Sequence, residues 1–253
     1  MKTMDTNSDT EFSNYGLYDL DSDLELLLPN TVIKFHRISD NAFSYFRKNS
    51  EGKIVEKIIP VKSQNPKIEL APIRPLNHPA RRTSHMFLHF DKEIYLSENS
   101  AASIFVHCPI EIGIFLVHDS NHDSLDWITC NPLNSRFGLY GSPDTGTLCK
   151  YAKVSLATDY SDSNSYLEGV MQIIVENTLS FGQSISKIVF QITDNALYYQ
   201  DSKTIIDGIK ITMKKRAAVN IADVKTTVLE TDWSMSPTWE DKTASTHMEM
   251  GLE

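Results

Sequence analysis

Hydrophobic and polar residues alternate with a period of two along most of the chain, which is the spacing of a half-buried β-strand. The alternation is strict from Thr31 to Ile38, and Ser44–Arg47 follows a short polar turn, so these two runs predict a hairpin. The other strand-like runs are Lys53–Val61, Ser84–Phe90, Glu93–Leu96, Ala102–His107, Ile110–His118, Ser124–Cys130, Phe137–Tyr140, Leu148–Leu156, Leu167–Val175, Ser186–Ile192, Ala196–Tyr199, Ile209–Met213 and Val224–Leu229. No window of about eleven residues or more has convincing helical spacing, so the pattern predicts an all-β protein.

The strand-like runs are short and are separated by Asn, Asp, Ser, Gly and Pro, which is typical of β-sandwiches and barrels. We predict an antiparallel β-sandwich, built as one large sandwich or as two stacked small ones. A polar stretch without aliphatic residues, Thr158–Ser165, divides the chain into a β-sandwich domain at 15–158 and a C-terminal β-sheet region at 166–230. The second region can equally belong to the same domain.

Five of the ten prolines lie between Pro60 and Pro79. Proline lacks a backbone N–H and has a fixed φ, so this stretch is predicted to be an extended connection along a sheet edge and not a central strand. An alternative interpretation is a strip on which a protein partner docks.

The 253 residues are 41% hydrophobic and 23% charged, which is enough apolar material to bury a core. Lys and Arg number 24 against 33 Asp and Glu, and the formal net charge is −9. Most of the excess acid lies near the two ends, so the body of the chain is close to neutral. We therefore predict flexible acidic ends at 1–14 and 231–253, and we predict that the protein does not bind nucleic acid, because an acidic chain repels phosphates.

No segment has the pattern of an export signal or a membrane span. The most apolar stretch, Ala101–Val117, is interrupted by His107, Pro109 and Glu111, so we predict no direct membrane insertion. The three cysteines are too widely spaced for a disulfide framework or a zinc site. They predict buried free thiols and a cytoplasmic location.

The segment Arg136–Tyr151 is unusual because three glycines and a proline surround a turn between two strands. It is either an ordinary long hairpin or a loop that binds a ligand through glycine amides, a carboxylate and cations. On the second interpretation the ligand-binding candidates are Arg136, Tyr140, Gly141, Asp144, Gly146, Lys150 and Tyr151. The triplet that begins at Asp144 also occurs in aspartic proteases, but no second copy exists and Pro143 places this one in a turn.

A single carboxylate, Glu111, interrupts the apolar run Pro109–Phe115. It is either a solvated residue on the outer face of a strand, which is the commoner case, or a buried group that needs a partner. If Glu111 is buried, it becomes a candidate site acid with Arg136 or Lys150 as its counter-ion, and Gly113 leaves room beside it.

The polar turn His118–Asp123 offers nitrogen and oxygen ligands at which a metal is conceivable. Loops of this composition are common on protein surfaces, and we interpret this one as such a loop. The sequence therefore predicts no metal site and no cofactor.

Several stretches together resemble an archaeal family that is known only as domain of unknown function 432. The similarity covers residues of about 15–230, and it is carried by Tyr15–Tyr18, Pro60–Pro79, Pro109–Phe115 and Leu139–Tyr151. The resemblance implies a soluble archaeal protein, and for some members it implies genes close to those of small mechanosensitive channels. It implies no functional residues.

These observations predict a cytoplasmic all-β binding or accessory module rather than an enzyme. Its partner is an unknown protein or small-molecule ligand, and a mechanosensitive-channel-type membrane protein is the partner that the resemblance implies. The alternative is a hydrolase of carbohydrate or ester substrates that uses Glu111 and Asp144. An enzyme of that kind requires both carboxylates in one concave pocket, whereas a binding module requires an apolar patch or an open sheet edge.

Overall fold

The computed structural model of this chain describes residues 11–61, 65–119, 121–132, 135–217 and 219–240. Strands make up most of these residues, and their helical content is the 3₁₀ turn at Ile192–Asp194 together with Pro132. The prediction of an all-β fold built from packed sheets is therefore confirmed. Within the described ranges no helix is long and apolar enough to cross a membrane.

Two four-stranded antiparallel sheets enclose a first hydrophobic core. Sheet A contains β1 (Gly16–Asp19), β6 (Lys67–Ile73), β9 (Glu111–His118) and β10 (Asn121–Ile128), in that order across the sheet. Sheet B is a meander of β2 (Leu24–Leu28), β3 (Thr31–Ser39), β4 (Ala42–Asn49) and β5 (Ile54–Pro60). The largest fully buried side chains of the first core include Leu26, Ile33, Phe35, Phe43, Tyr45, Ile68 and Ile112.

Two further sheets enclose a second core. Sheet C has the spatial order β11 (Arg136–Tyr140), β12 (Thr147–Val154), β7 (His85–Leu96), β15 (Gln183–Gln191). Sheet D has the order β13 (Leu156–Ala157), β8 (Ser100–Pro109), β14 (Glu168–Asn177), β17 (Lys203–Arg216), β16 (Leu197–Gln200), β19 (Ser234–Met235), and β18 (Val219–Thr227) also pairs with β17. The pairs β12–β7 and β14–β17 are parallel, an addition to the antiparallel pattern expected from sequence.

The described strands pass between the two pairs of sheets three times: between β6 and β7, at Ile110 between β8 and β9, and between β10 and β11. Tyr166 and Tyr199, later in the chain, also pack in the first core. Each core therefore contains strands from separate stretches of the sequence. The predicted division into 15–158 and 166–230 does not coincide with the two cores, because β8 and β14 lie on opposite sides of it and pair along their whole length. As a statement about separate folding units, that division stays a prediction.

The proline-rich stretch forms a central strand over part of its length, which the sequence analysis excluded. Strand β6 contains Pro72 and lies between β1 and β9. Pairing with β1 covers Lys67–Leu70 only, so Pro72 lies beyond the end of β1. Its lack of an N–H therefore costs no hydrogen bond to that strand. Pro66, Pro72 and Pro75 are buried, so they offer little surface on which a protein partner could dock.

The described parts of both acidic ends are attached to the sheets. Ser13 donates its backbone N–H to the Leu27 carbonyl at 2.8 Å, and its hydroxyl accepts from the Leu27 N–H. Near the other end, β19 pairs with β16, and the Glu240 N–H donates to the Ser124 hydroxyl. Residues 1–10 and 241–253, on which most of the predicted flexibility falls, lie outside the described residues.

Candidate functional site

A cleft of about 430 Å³, which we call the junction cleft, opens where the three crossing segments meet strand β12. Ligand sites commonly lie at such junctions between packed units. Four of the residues predicted from sequence line it: Glu111, Arg136, Lys150 and Tyr151. The other lining residues are Pro75, Asp91, Pro109, Ile110, Thr129, Asn131, Ser135, Ala152, Lys153, Val154, Ser155, Leu167 and Glu168.

Lys150 is a buried cation with no hydrogen-bond acceptor among the described residues. It lies on β12, a central strand between β11 and β7, and its residue exposure is only 3%. Its Nζ has no hydrogen-bond partner in the described part of the chain and lies 5.3 Å from the centre of the Phe137 ring. Burial lowers the pKa of Lys150, and the nearby charge of Glu111 opposes that shift without cancelling it.

Glu111 is buried, so the less common of its two sequence interpretations applies. Strand β9 is covered on both faces from Glu111 to Phe115, which leaves the carboxylate 2% exposed. Burial raises the pKa of Glu111 to about 6, although hydrogen bonds from His78 and Asn77 and the charge of Lys150 lower it. The proximity of Lys150 agrees with the counter-ion predicted from sequence, but the two groups do not form a direct ion pair.

The carboxylate of Glu111 holds the crossing segment between β6 and β7. Its Oε2 accepts the backbone N–H of Asn77 at 3.0 Å and the Asn77 side-chain Nδ2 at 2.8 Å, and its Oε1 accepts the His78 N–H at 2.8 Å. Three N–H donors use much of its accepting capacity. Lys150 is therefore the charged group of this pair that is left free to contact a ligand.

The room that Gly113 was predicted to leave beside Glu111 is filled by the protein itself. A Cβ placed on Gly113 would lie 2.6 Å from Phe115 Cε2 and 2.8 Å from Ile73 Cγ2. The glycine therefore permits close packing of these two side chains next to Glu111, and the ligand space lies elsewhere in the junction cleft.

Exposed Arg136 and half-buried Tyr151 form a rim of the junction cleft, to which Arg136 brings a positive charge. They pair directly across β11 and β12, and the guanidinium carbon lies 5.1 Å from the centre of the Tyr151 ring. The Tyr151 hydroxyl is 2.9 Å from His89 Nδ1, which fixes the position of the ring. Local strand pairing thus brings two of the predicted residues together.

The structure does not bring the remaining predicted residues into the junction cleft. Tyr140, Gly141, Asp144 and Gly146 lie at the turn of the β11–β12 hairpin and do not line the cleft. The turn has the features of an ordinary hairpin: Gly141 has a φ of +106°, and the Gly146 N–H donates to the Ser142 carbonyl at 2.7 Å. Asp144 is exposed there and is not a lining residue together with Glu111.

Asn77 and His78 were missed by the sequence analysis, although they determine the position of Glu111. Their contribution is mainly through backbone N–H groups, which carry no residue-type signal. The polar lining residues Thr129, Asn131 and Ser135 were missed because they belong to a crossing segment whose neighbours depend on the tertiary fold. Asn77, a polar residue within the proline-rich connection, was the one feature of the sequence that could have indicated a partner for Glu111.

The predicted free thiols are present, since all three cysteines are buried and unpaired. Burial raises the pKa of Cys108 and of Cys130 to about 12, which makes both thiols poor nucleophiles. Among the described residues no group of three His, Cys, Asp or Glu side chains could hold a metal ion. In the histidine-containing turn, His118 faces Asp123 at 3.5 Å and His122 faces Glu69 at 2.7 Å.

No curated protein and no solved structure matches the chain. The family described as "Protein of unknown function (DUF432)" matches residues 14–251, which includes the C-terminal segment that the sequence analysis left outside the similarity. This match covers nearly the whole sequence, and the chain therefore belongs to that family.

Proposed function

We propose that the protein is a binding module whose junction cleft takes a small carboxylate, with Lys150 as the anchoring residue. The observation that carries the proposal is the buried ammonium of Lys150, which has no hydrogen-bond partner among the described residues. Taking an ammonium out of water costs several kcal/mol unless an anion or an acceptor compensates it. A bound anion supplies that compensation.

The other lining residues indicate which anion fits. Arg136 and Lys153 add two further cations, while Asp91, Glu111 and Glu168 bring three carboxylates to the same walls. This balance disfavours an anion of high charge and favours a monocarboxylate that also carries hydrogen-bond donors. Apolar lining by Ile110 gives the rest of such a ligand a surface to cover.

Thermal-shift measurements with a panel of small carboxylic acids test this proposal. We expect at least one acid to raise the melting temperature of the wild-type protein saturably and to have little effect on Lys150→Met. Lys187→Met, at an exposed position on β15 of the same sheet, is the matched control and is expected to behave like the wild type. Equal responses from Lys150→Met and the wild type would contradict the proposal.

One observation keeps a hydrolase of carbohydrate or ester substrates as a second candidate. The pKa of about 6 at Glu111 is in the range of a general acid. Asp144 does not line the junction cleft, so a hydrolase would draw its second carboxylate from Asp91 or Glu168. Hydrolysis of chromogenic glycosides or esters that Glu111→Gln abolishes and Asp144→Asn leaves unchanged would favour this alternative.

We further propose the archaeal source and the channel-type partner that the resemblance implies, and the cytoplasmic location that the free thiols predict. Among the described strands β11 is an edge of sheet C on which a protein partner can dock, and Leu139 and Tyr140 on β11 and Leu148 on β12 are exposed apolar residues there. We expect the wild-type protein to co-purify with a mechanosensitive-channel-type protein from detergent-solubilised membranes. Leu139→Lys should lose that partner, and Leu156→Lys, at an exposed leucine on β13, should retain it.

A further inference from the structure

A second cleft, of about 470 Å³, lies on the other side of the crossing segment between β6 and β7. Pro75 lines the junction cleft, whereas its neighbours Arg74 and Leu76 line the second cleft, so this segment separates the two. The other walls come from β6, β10, the residues at and before β16, and the C-terminal segment at 235–239. The C-terminal segment is held there by the Ser236 N–H, which donates to the Leu197 carbonyl at 2.8 Å.

Two arginines face this second cleft with unused hydrogen-bond donors. The Nε of Arg74 donates to the Asn195 carbonyl at 3.0 Å, and no described hydrogen bond or ion pair uses its terminal amino groups. Arg81 is exposed and has no ion pair with any described residue. Burial lowers the pKa of Arg74, and the charge of Arg81 lowers it further, so the two guanidinium groups are close enough to repel each other.

The acidic residues near the arginines are partly occupied elsewhere. Asp207 lies close enough to raise the pKa of Arg74, but its carboxylate accepts the N–H groups of Ala196 and Leu229. The charge of Asp194 raises the pKa of Arg74 more than that of Asp207 does, but Asp194 is exposed and makes no ion pair with either arginine. Neither Asp194 nor Asp207 therefore forms an ion pair with Arg74 or Arg81.

The one buried carboxylate that lines the second cleft has its own partners. Glu69 accepts the hydroxyl of Tyr199 at 2.8 Å, and its other oxygen lies 2.7 Å from His122 Nε2. These two partners occupy both oxygens of Glu69, which makes no ion pair with Arg74 or Arg81.

We propose that the second cleft binds a phosphate monoester, with its phosphate on Arg74 and Arg81 and its organic part against Leu76, Leu197 and Trp239. Guanidinium groups bind phosphate oxygens through paired N–H donors, and two of them satisfy a dianion better than one ammonium does. The three apolar residues line the same cleft and give a hydrophobic body a surface to cover.

The test is isothermal titration with phenyl phosphate, in which a phosphate is joined to an apolar ring. It is carried out on the full chain carrying Lys150→Met, so that anion binding in the junction cleft does not contribute. We expect saturable binding at one site per chain, at least fivefold tighter than that of inorganic phosphate. Adding Arg81→Gln should weaken the affinity for phenyl phosphate at least tenfold.

Arg82→Gln is the matched control, because it removes the same charge from the adjacent exposed residue, which does not line the cleft. Its affinity should stay within twofold of the Lys150→Met parent. Equal weakening by Arg81→Gln and Arg82→Gln would overturn the proposal in favour of diffuse surface charge. Absence of saturable binding in the Lys150→Met chain would also overturn it, and equal affinity for inorganic phosphate would overturn the assignment of the apolar wall.

Discussion

At the scale of single residues, Lys150 and Glu111 show how burial without a direct ion pair shapes a site. N–H donors of Asn77 and His78 compensate the charge of Glu111, whereas the described residues offer Lys150 only an aromatic ring and a carboxylate that does not contact it. Natural proteins commonly retain such unfavourable buried charges at sites where a bound ligand compensates them. Two predictions separate the contributions of the two residues.

Replacing Lys150 by methionine should stabilise the unliganded protein. Methionine has a similar length and no charge to desolvate, and we expect the free energy of unfolding at pH 7 to rise by about 1–2 kcal/mol. Urea denaturation followed by circular dichroism measures this change. The control Lys187→Met should stay within about 0.5 kcal/mol of the wild type, and a clear loss of stability in Lys150→Met would show that the ammonium has a partner that the structure does not reveal.

Replacing Glu111 by glutamine should change how stability depends on pH. The pKa of Glu111 is raised from 4.5 to about 6 on folding, so the folded state holds the proton more tightly. The resulting stabilisation is complete below pH 4.5 and is lost as the pH rises through 6, and it amounts to about 2 kcal/mol. The unfolding free energy of the wild type minus that of Glu111→Gln should therefore fall by about 2 kcal/mol between pH 4 and pH 7.

Urea denaturation at a series of pH values measures this difference. Glu56→Gln, on the exposed strand β5, controls for the loss of a surface carboxylate. A difference that stays constant or grows with pH would contradict the assigned direction of the pKa shift.

At the scale of strands, sheets A and B are joined by a buried polar contact as well as by apolar packing. Asp126 on β10 accepts from Arg47 Nε and from the Tyr45 hydroxyl on β4, each at 2.7 Å. Both charged side chains are about nine-tenths buried. Such a contact fixes which residues of the two sheets face each other, because a misaligned pairing would leave two charges buried without partners.

Removing one partner of this contact should be costly. We expect Asp126→Ala to lower the free energy of unfolding by about 3–5 kcal/mol, because Arg47 then remains buried and uncompensated. Asp19→Ala, which breaks the exposed Lys67–Asp19 pair, should cost about 1 kcal/mol or less. Urea denaturation of both variants provides the comparison, and similar losses would show that burial does not govern the strength of these pairs.

At the scale of the whole molecule, the two cores are linked by hydrogen bonds across their junction. The Tyr15 N–H donates to the Asp201 carbonyl at 2.7 Å, and the Tyr199 hydroxyl donates to Glu69. The rings of Tyr15 and Tyr199 also contact each other edge to face. Both clefts lie at this junction, so its rigidity determines their shape.

Tyr199→Phe should weaken the junction while leaving each core intact. Glu69 loses a donor in a buried position, and we expect a cost of about 1–3 kcal/mol in unfolding free energy. For this variant, the urea midpoint from tryptophan fluorescence should equal the midpoint from circular dichroism, because the two cores unfold together. The exposed Tyr95→Phe is the control, and two separate transitions in the wild type would contradict joint unfolding.

The sequence by itself determined the secondary structure and part of the site. Alternation of apolar and polar residues is local, so the strands and the pairing of Arg136 with Tyr151 across one hairpin could be read from it. The unusual position of Glu111 in an apolar run was visible for the same reason. Pro72 misled the interpretation, because whether a proline interrupts a sheet depends on the length of the neighbouring strand.

Only the tertiary structure decided which strands share a core and where the clefts lie. The three crossings between cores bring together residues that are far apart in sequence, such as Asn77 with Glu111 and Tyr199 with Glu69. It also separated Asp144 from the junction cleft, although Lys150 is only six positions further along the chain. Long-range contacts of this kind depend on how whole sheets pack, and no local pattern of side chains encodes that packing.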